Sequence, residues 1–290
     1  MFAVTGVTGQ VGGVVARVLL AAGDDVRAVV RSASKGEAWA AQGCEIALAE
    51  MGDARALTEA FRGAQGVFVL LPPVFDPSPG YTESKANIAA LKAALIEAAP
   101  GHVVCLSTIG AQAQKDNLLQ QLSLMEREFG TLPMPVALVR AGWFMENAAW
   151  DVSAAIDTGM IPSFLHPLDK PFPMVATADV GRVAAGLLRE NWTGQRVVEL
   201  EGPRRTSPND IADAFSRLLG KPVTTSLVPR DTWEALFRSQ GMQHPLPRMR
   251  MLDGFNEGWI DFAAPAHTVK GHVPLEAVLR GLTERAAAAA

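Results

Sequence analysis

The run Phe2-Ala3-Val4-Thr5-Gly6-Val7-Thr8-Gly9-Gln10-Val11-Gly12-Gly13 sets three glycines at a spacing of three, directly after one apolar stretch and directly before another. Glycine at these positions answers three needs of a chain that wraps a pyrophosphate. Gly6 lets the chain turn sharply off a strand, Gly9 lets backbone N–H groups approach phosphate with no Cβ in the way, and Gly12 lets helix and sheet pack closely. A helix over Gln10–Ala22, then Gly23 and a second apolar run over Val26–Val30, complete a strand, turn, helix and strand. Gly6, Thr8, Gly9, Gln10, Val11 and Gly12 are therefore the candidate contacts to a dinucleotide.

The second apolar run ends in Arg31-Ser32, with Lys35 close behind, where an NAD-selective turn places an acid for the adenosine ribose. No acid stands there. A guanidinium at that point pairs with a 2′-phosphate in bidentate fashion, which favours NADP(H) over NAD(H); a solvated basic turn is the other reading of the same residues.

Residues so spaced need a scaffold, and the first half of the chain supplies its pattern. Strand-like runs at Glu45–Leu48, Val67–Leu71, Val103–Ser107 and Val136–Val139 alternate with helical patterns at Asp53–Phe61, Thr82–Ala98 and Asn117–Phe129. With the two opening strands this makes six β units, the pattern of an α/β fold: a Rossmann-like doubly wound parallel sheet whose ligand crevice lies beyond the strands' carboxyl ends. After Gly142 the regularity gives way to Pro- and aromatic-rich segments, a helix starting near Asp179, and a well-marked helix from Ser207-Pro208-Asn209-Asp210 to Gly220. The expected division is a NAD(P)-binding domain over residues 1–150 and a smaller C-terminal substrate or lid lobe over 151–290, with the chain returning to the main sheet. No repeat is visible, and the only low-complexity stretch is the alanine tail over 286–290.

Composition narrows the function classes. With 49% apolar residues, 19% charged residues and a net charge of −4, the chain can bury a large core and has no basic block, so direct nucleic-acid binding is not expected. Cys44 and Cys105 lie in apolar runs and read as small core residues of a protein in a reducing compartment. The opening on a strand without a charged leader, and apolar stretches shorter than the ~20 residues of a membrane span, give the expectation of a cytoplasmic protein with no membrane partner. The histidines at 102, 166, 244, 267 and 272 show no metal-ligand spacing, so no metal is expected. Ser107 lacks a Gly-x-Ser-x-Gly elbow, which removes a hydrolase reading.

Taken together, the chain resembles the NmrA-like family of atypical short-chain dehydrogenases, which includes quinone, azo and triphenylmethane reductases alongside cofactor-binding regulators. The resemblance runs along nearly the whole chain. It rests on Val4-Thr-Gly-Val-Thr-Gly-Gln-Val-Gly12, Arg31, Leu70-Leu-Pro-Pro73, Val103-Val-Cys-Leu-Ser-Thr108 and Leu138-Val-Arg-Ala-Gly-Trp-Phe-Met-Glu-Asn147. It implies a nicotinamide cofactor with its adenine near Asp53, its nicotinamide ribose near Leu71, Pro72 and Pro73, and its redox ring near Ser107 and near Gly142, Trp143 and Phe144.

The departures from the family pattern bear on mechanism. Most short-chain dehydrogenases carry Tyr-x-x-x-Lys in the helix after the fifth strand, where the tyrosine protonates an alkoxide. The sole tyrosine here, Tyr81, does open Tyr81-Thr-Glu-Ser-Lys85, but before the fifth strand rather than after it. It reads as a decoy in a loop on the crevice side. Family members with a lysine four residues before a helical glutamate align it with Leu122, given Glu126. Tyr81 and Ser107 remain the weak catalytic candidates, and Ser107 is equally suited to ending its strand.

Without a Tyr/Lys pair, the favoured acceptor is one whose reduction leaves a delocalised or neutralised charge, such as a quinone, azo compound or dye cation. Trp143, Phe144, Met145 and Trp150, with Phe164, Met242, Met249 and Phe255 in segments that could form a lid, suggest a large apolar pocket for a small apolar or aromatic substrate, although core packing is the better account of each of them taken singly. Two functions stand: an NADPH-dependent reductase, or a redox sensor that binds the cofactor and signals to a protein partner. A homodimer is left open.

Overall fold

Six strands and the helices between them run from the first residues to Ala141 in strict alternation. They are β1 (Phe2–Thr5), α1 (Gln10–Ala21), β2 (Val26–Val30), α2 (Ala33–Ala40), β3 (Glu45–Leu48), α3 (Ala54–Phe61), β4 (Gly66–Leu70), α4 (Thr82–Ala98), β5 (His102–Thr108), α5 (Gln120–Phe129) and β6 (Val136–Ala141). The computed structural model describes residues 1–289, so the last alanine of the tail lies outside the described residues. The remaining chain forms β7 (Trp143–Phe144), α6 (Val152–Asp157), β8 (Met160–Ser163), β9 (Met174–Val175), α7 (Thr177–Leu188), β10 (Gln195–Glu201), α8 (Pro208–Leu219), β11 (Thr224–Leu227), α9 (Trp233–Ser239), α10 (Leu246–Glu257), β12 (Val269–Lys270) and α11 (Leu275–Ala289).

The main sheet has eight strands in the order β12-β10-β6-β5-β4-β1-β2-β3. Its first six strands carry the order of a doubly wound sheet, and β1 pairs in parallel with both β2 and β4, so the topological switch falls between β1 and β4. Thr5 stitches that junction just past the paired register. Its hydroxyl donates to the Phe68 carbonyl at 3.1 Å and accepts from the Leu70 N–H at 3.0 Å.

Two compact units divide the chain: Met1–Gln112 with Leu119–Arg140 and Val180–Val198, and Ala113–Leu118 with Ala141–Asp179 and Glu199–Ala290. They interleave along the sequence rather than meeting at one cut near residue 150. In the first unit the apolar spacing of α4 buries Ile88, Leu91 and Leu95, which join Leu57, Phe61, Met125 and Phe129 against Val67, Val69, Val103 and Cys105. β5 is buried from His102 to Leu106 with no alternation, as a central parallel strand covered on both faces requires. Both cysteines are buried, unpaired thiols.

The expected boundaries differ from the observed ones in two instructive places. The helix expected from Asn117 starts at Gln120, because the Leu118 N–H donates to the Pro247 carbonyl at 2.9 Å and Asn117 bonds the Lys115 carbonyl at 2.8 Å, which holds the preceding residues in an irregular path. α2 has no counterpart in the sequence reading. It is short and weakly patterned, with only Gly36 and Trp39 buried, and Lys35 lies within it. Close packing holds it: a Cβ on Gly36 would sit 2.8 Å from Ile46, and the Arg17 guanidinium lies 5.6 Å from the centre of the Trp39 ring. In the second unit, Ser207 and Asp210 form the expected reciprocal cap of α8, with Pro208 in the first turn and Gly220 left-handed at its end.

Candidate functional site

Four adjacent parallel strands of the first unit, β5, β4, β1 and β2, present sequence-selected residues at their carboxyl ends. In that order these are Ser107, Leu71–Pro73, the Gly6–Gly12 turn and Arg31-Ser32. The fold thus brings most of the candidates to one edge of one sheet. Asp53 follows β3 on the same side and caps α3, accepting from the Ala56 N–H at 3.0 Å, so its carboxylate already has a structural task.

The glycine turn is built as its spacing requires. Gly6 takes φ 65°, which only glycine adopts without strain, and the Gly9 N–H bonds the Gly6 carbonyl at 2.9 Å. A Cβ on Gly12 would lie 2.3 Å from the Gly6 carbonyl oxygen and 2.7 Å from that of Thr5, so no other residue fits. At Gly9 the same test meets only the Gly6 oxygen, at 3.3 Å, and Thr8, Gly9 and Gln10 are exposed. No side chain caps α1 and its first turn carries no acid. The first intrahelical bond, Gly13 N–H to the Gly9 carbonyl, leaves the N–H groups of Gln10, Val11 and Gly12 without helical partners. Those donors and the helix dipole form a cradle for an anion, and the residues present fit a pyrophosphate.

Arg31, Ser32 and Lys35 are all exposed, and the Ser32 and Ser34 hydroxyls lie 3.2 Å apart. Leu71 is buried, Pro72 half-buried and Pro73 exposed.

At the end of β5 the arrangement is closed. The buried Ser107 hydroxyl donates to Glu126 Oε1 at 2.5 Å, and Arg140 from β6 grips the same carboxylate through Nε to Oε1 at 2.9 Å and Nη2 to Oε2 at 2.7 Å. The charged pair is nearly buried, with side chains 10% and 12% exposed. Sequence reasoning missed this triad, although an arginine inside the apolar run Val136–Ala141 was a signal: a charge on a buried strand needs a partner. Complete burial, reinforced by the Glu126 charge, pushes the Cys105 thiol far above its usual range. Leu122 packs partly buried against the core from the same helix, so that position supplies no cation.

Tyr81 is half-buried at the residue before α4, with φ 60° and ψ 44°, a left-handed conformation unusual for a side-chain-bearing residue. Its place is the loop after β4, as its position in the sequence implies.

The second unit explains the motif that follows β6. Gly142 is required by contact, since a Cβ there would meet the Pro173 carbonyl oxygen at 2.7 Å, and β7 pairs in parallel with β9. Glu146 caps α7, both carboxylate oxygens accepting from the Thr177 N–H at 3.0 Å and Oε1 from its hydroxyl at 2.6 Å. Trp143 meets Phe255 edge-on with centroids 5.3 Å apart, and Phe164 packs on Trp233 and Phe237. Met242, Met249 and Phe255 are buried, which makes these aromatic and methionine residues part of that unit's core, while Trp150 is 66% exposed. Burial raises the Asp151 carboxyl to about 7. Among the described residues no helix is long and apolar enough to cross a membrane, and no cluster of His, Cys, Asp and Glu is placed to hold a metal ion.

Comparison with known proteins adds a family, two relatives and two solved structures. The profile of the NmrA-like family matches residues 1–265. Quinone oxidoreductase 2 of Escherichia coli (strain K12) is 27% identical over 251 residues, 86% of this chain and 85% of that protein. NAD(P)H azoreductase of Xenophilus azovorans is 27% identical over 248 residues, 85% and 83% of the two chains. Among solved structures, the Citrobacter sp. triphenylmethane reductase complexed with NADP(H) superposes with a TM-score of 0.80 at 20% identity, over 97% of this chain and 99% of that one. The E. coli NADPH-dependent quinone oxidoreductase complexed with NADPH gives 0.77 at 24% identity, over 100% and 99%.

Proposed function

The chain belongs to the NmrA-like family, and from that premise we propose that it is an NADPH-dependent reductase delivering hydride to a conjugated, aromatic or quinone-like acceptor. The observation that carries the reading is the open N-terminus of α1 at the topological switch, uncapped, free of acid and crowded so that only glycine serves at Gly12. The relatives named above as a quinone oxidoreductase and an azoreductase support the reaction class.

Bound NADPH supplies the hydride from its nicotinamide ring. The N–H groups of Gln10, Val11 and Gly12 hold the pyrophosphate. Arg31 and Ser32, with Lys35 in the first turn of α2, would hold the 2′-phosphate, where a guanidinium gives a bidentate grip. The Leu71–Pro73 segment, at the end of the strand beside β1, would border the nicotinamide ribose.

Ser107 does not act as an acid in this reading. Its proton is directed at a carboxylate that accepts from Arg140 as well, so donating to substrate would break a buried network. Acceptors that spread or neutralise the incoming charge need no such donor, and catalysis then comes from holding two rings face to face.

The test is a steady-state assay of NADPH oxidation against quinones, azo dyes and triphenylmethane dyes. Turnover with at least one class is expected. Tight NADPH binding with no turnover across the panel would establish the cofactor-sensing alternative instead.

A further inference from the structure

The segment that joins β4 to α4 is mostly half-buried, with Leu71 and Pro77 buried, and it is held at several points. Pro72, Pro73, Pro77 and Pro79 restrict its backbone. Buried Gln121 on α5 accepts from the Ser84 hydroxyl at 2.5 Å and donates to the Val74 carbonyl at 3.0 Å, which clamps the residue before Phe75. Ser78 bonds Glu83 through its hydroxyl and through its N–H, and the Tyr81 N–H bonds the Ser78 carbonyl at 2.9 Å. Between these anchors stands Phe75, 54% exposed and the only exposed aromatic of the first unit among the described residues.

A lone exposed apolar side chain needs no explanation on a loose loop. Here the backbone on either side is fixed by prolines and by a buried amide, while the ring contributes little to the core. A ring on a fixed backbone loses little conformational freedom when a ligand settles on it. The loop also leaves the carboxyl end of β4, beside the strand whose end bears the glycine turn, which is the side where a doubly wound sheet receives its ligands.

We propose that Phe75 is a specificity-determining residue whose ring is a preset face for stacking a flat, conjugated acceptor. The identity of the acceptor rests on the reductase reading, but the stacking itself does not require turnover. Because stacking grows with overlapping area, the preference should rise from a one-ring to a three-ring quinone.

The experiment is calorimetric titration of 1,4-benzoquinone, 1,4-naphthoquinone and 9,10-anthraquinone-2-sulfonate into the whole chain, with and without NADP⁺. Phe75→Ala should weaken anthraquinone-2-sulfonate binding roughly three- to tenfold, and benzoquinone less, while Phe75→Tyr keeps wild-type affinity. Melting temperature and NADP⁺ affinity should be unchanged in both variants. Equal affinity of Phe75→Ala and wild type, equal losses in the Ala and Tyr variants, or absence of quinone binding to the wild type would each overturn the proposal. Phe75-dependent quinone binding together with no NADPH oxidation across the whole quinone, azo-dye and triphenylmethane-dye panel would uphold the stacking face and reject the reductase reading, so the two fail separately.

Discussion

The ends of β1 and β5 treat their polar groups in opposite ways. After β1 the chain leaves three helix N–H groups uncapped, exposes Thr8 to Gln10 and places no acid nearby. After β5 the hydroxyl of Ser107, both oxygens of Glu126 and the guanidinium of Arg140 satisfy one another, nearly out of contact with water. Two strands apart in one sheet, one end is open and the other closed. An unpaired donor at a surface is available to a ligand, whereas a satisfied buried network fixes geometry and resists giving up any member. The open end should therefore be sensitive in binding and tolerant in stability, and the closed end the reverse.

The largest effect is expected from closing the open end. Gly9→Val places a branched side chain where phosphate must approach, and the Cβ itself meets only the Gly6 oxygen at 3.3 Å, so the fold should survive. NADPH binding should become undetectable by titration, with circular dichroism and melting close to wild type. Wild-type affinity in the folded variant would mean that the turn is not the pyrophosphate site.

Opening the closed end should show the opposite pattern. Arg140→Ala strands the Glu126 carboxylate in a nearly buried position, and removing one partner of such a pair costs about 3–5 kcal/mol. Urea unfolding should report that loss. A double variant, Glu126→Gln with Arg140→Met, should recover part of it, because it removes the uncompensated charge. A loss under about 1 kcal/mol in the single variant would show that the pair behaves as a surface ion pair.

The two ends also differ in how far they could be read from sequence. At β1 the glycines carry the information locally: each answers a steric need set by neighbours within a few residues, and the boundaries of α1, β2 and β3 follow from apolar runs and Gly23. The same holds for Ser207, Pro208, Asp210 and Gly220 around α8, where each cap residue acts on its own turn. At β5 the information is spread over Ser107, Glu126 and Arg140, separated by 19 and 14 positions, and only pairing in space reveals it. Glu146 is similar, since its partner Thr177 lies 31 residues away. α2 was missed for another reason. Its helix rests on Gly36 against Ile46 and on Trp39 rather than on periodicity.

A smaller effect tests how the open end chooses its ligand. Arg31 is exposed at the end of β2, and a charge-assisted hydrogen bond is worth roughly 1.5–3 kcal/mol, or about one to two decades in dissociation constant. Arg31→Ala should weaken NADPH binding by that factor, nearer the lower end because Ser32 and Lys35 share the phosphate, and leave NADH binding almost unchanged. Titration of both cofactors at one salt concentration decides it. Equal losses for the two would assign Arg31 to the fold or the adenine, and a wild-type preference for NADH would overturn the NADP assignment.

The smallest effect should come from Ser107, where the two readings of the closed end separate. A general acid contributes about 10²–10⁴-fold to turnover where it operates. Ser107 instead points its proton at Glu126, which Arg140 keeps supplied with donors, so removal of the hydroxyl takes away a positioning contact and no proton source. Ser107→Ala should then lower kcat for a quinone acceptor by less than tenfold, with NADPH affinity held and the shape of the pH–rate profile unchanged. Stability should fall by about 1 kcal/mol, the net worth of one hydrogen bond, because Glu126 keeps both contacts to Arg140. Ser107→Thr, which retains the hydroxyl, should restore the lost rate if its added methyl is accommodated. A hundredfold loss in kcat, or the disappearance of one limb of the pH profile, would show that the hydroxyl leaves Glu126 during turnover and that the end of β5 opens in the presence of substrate.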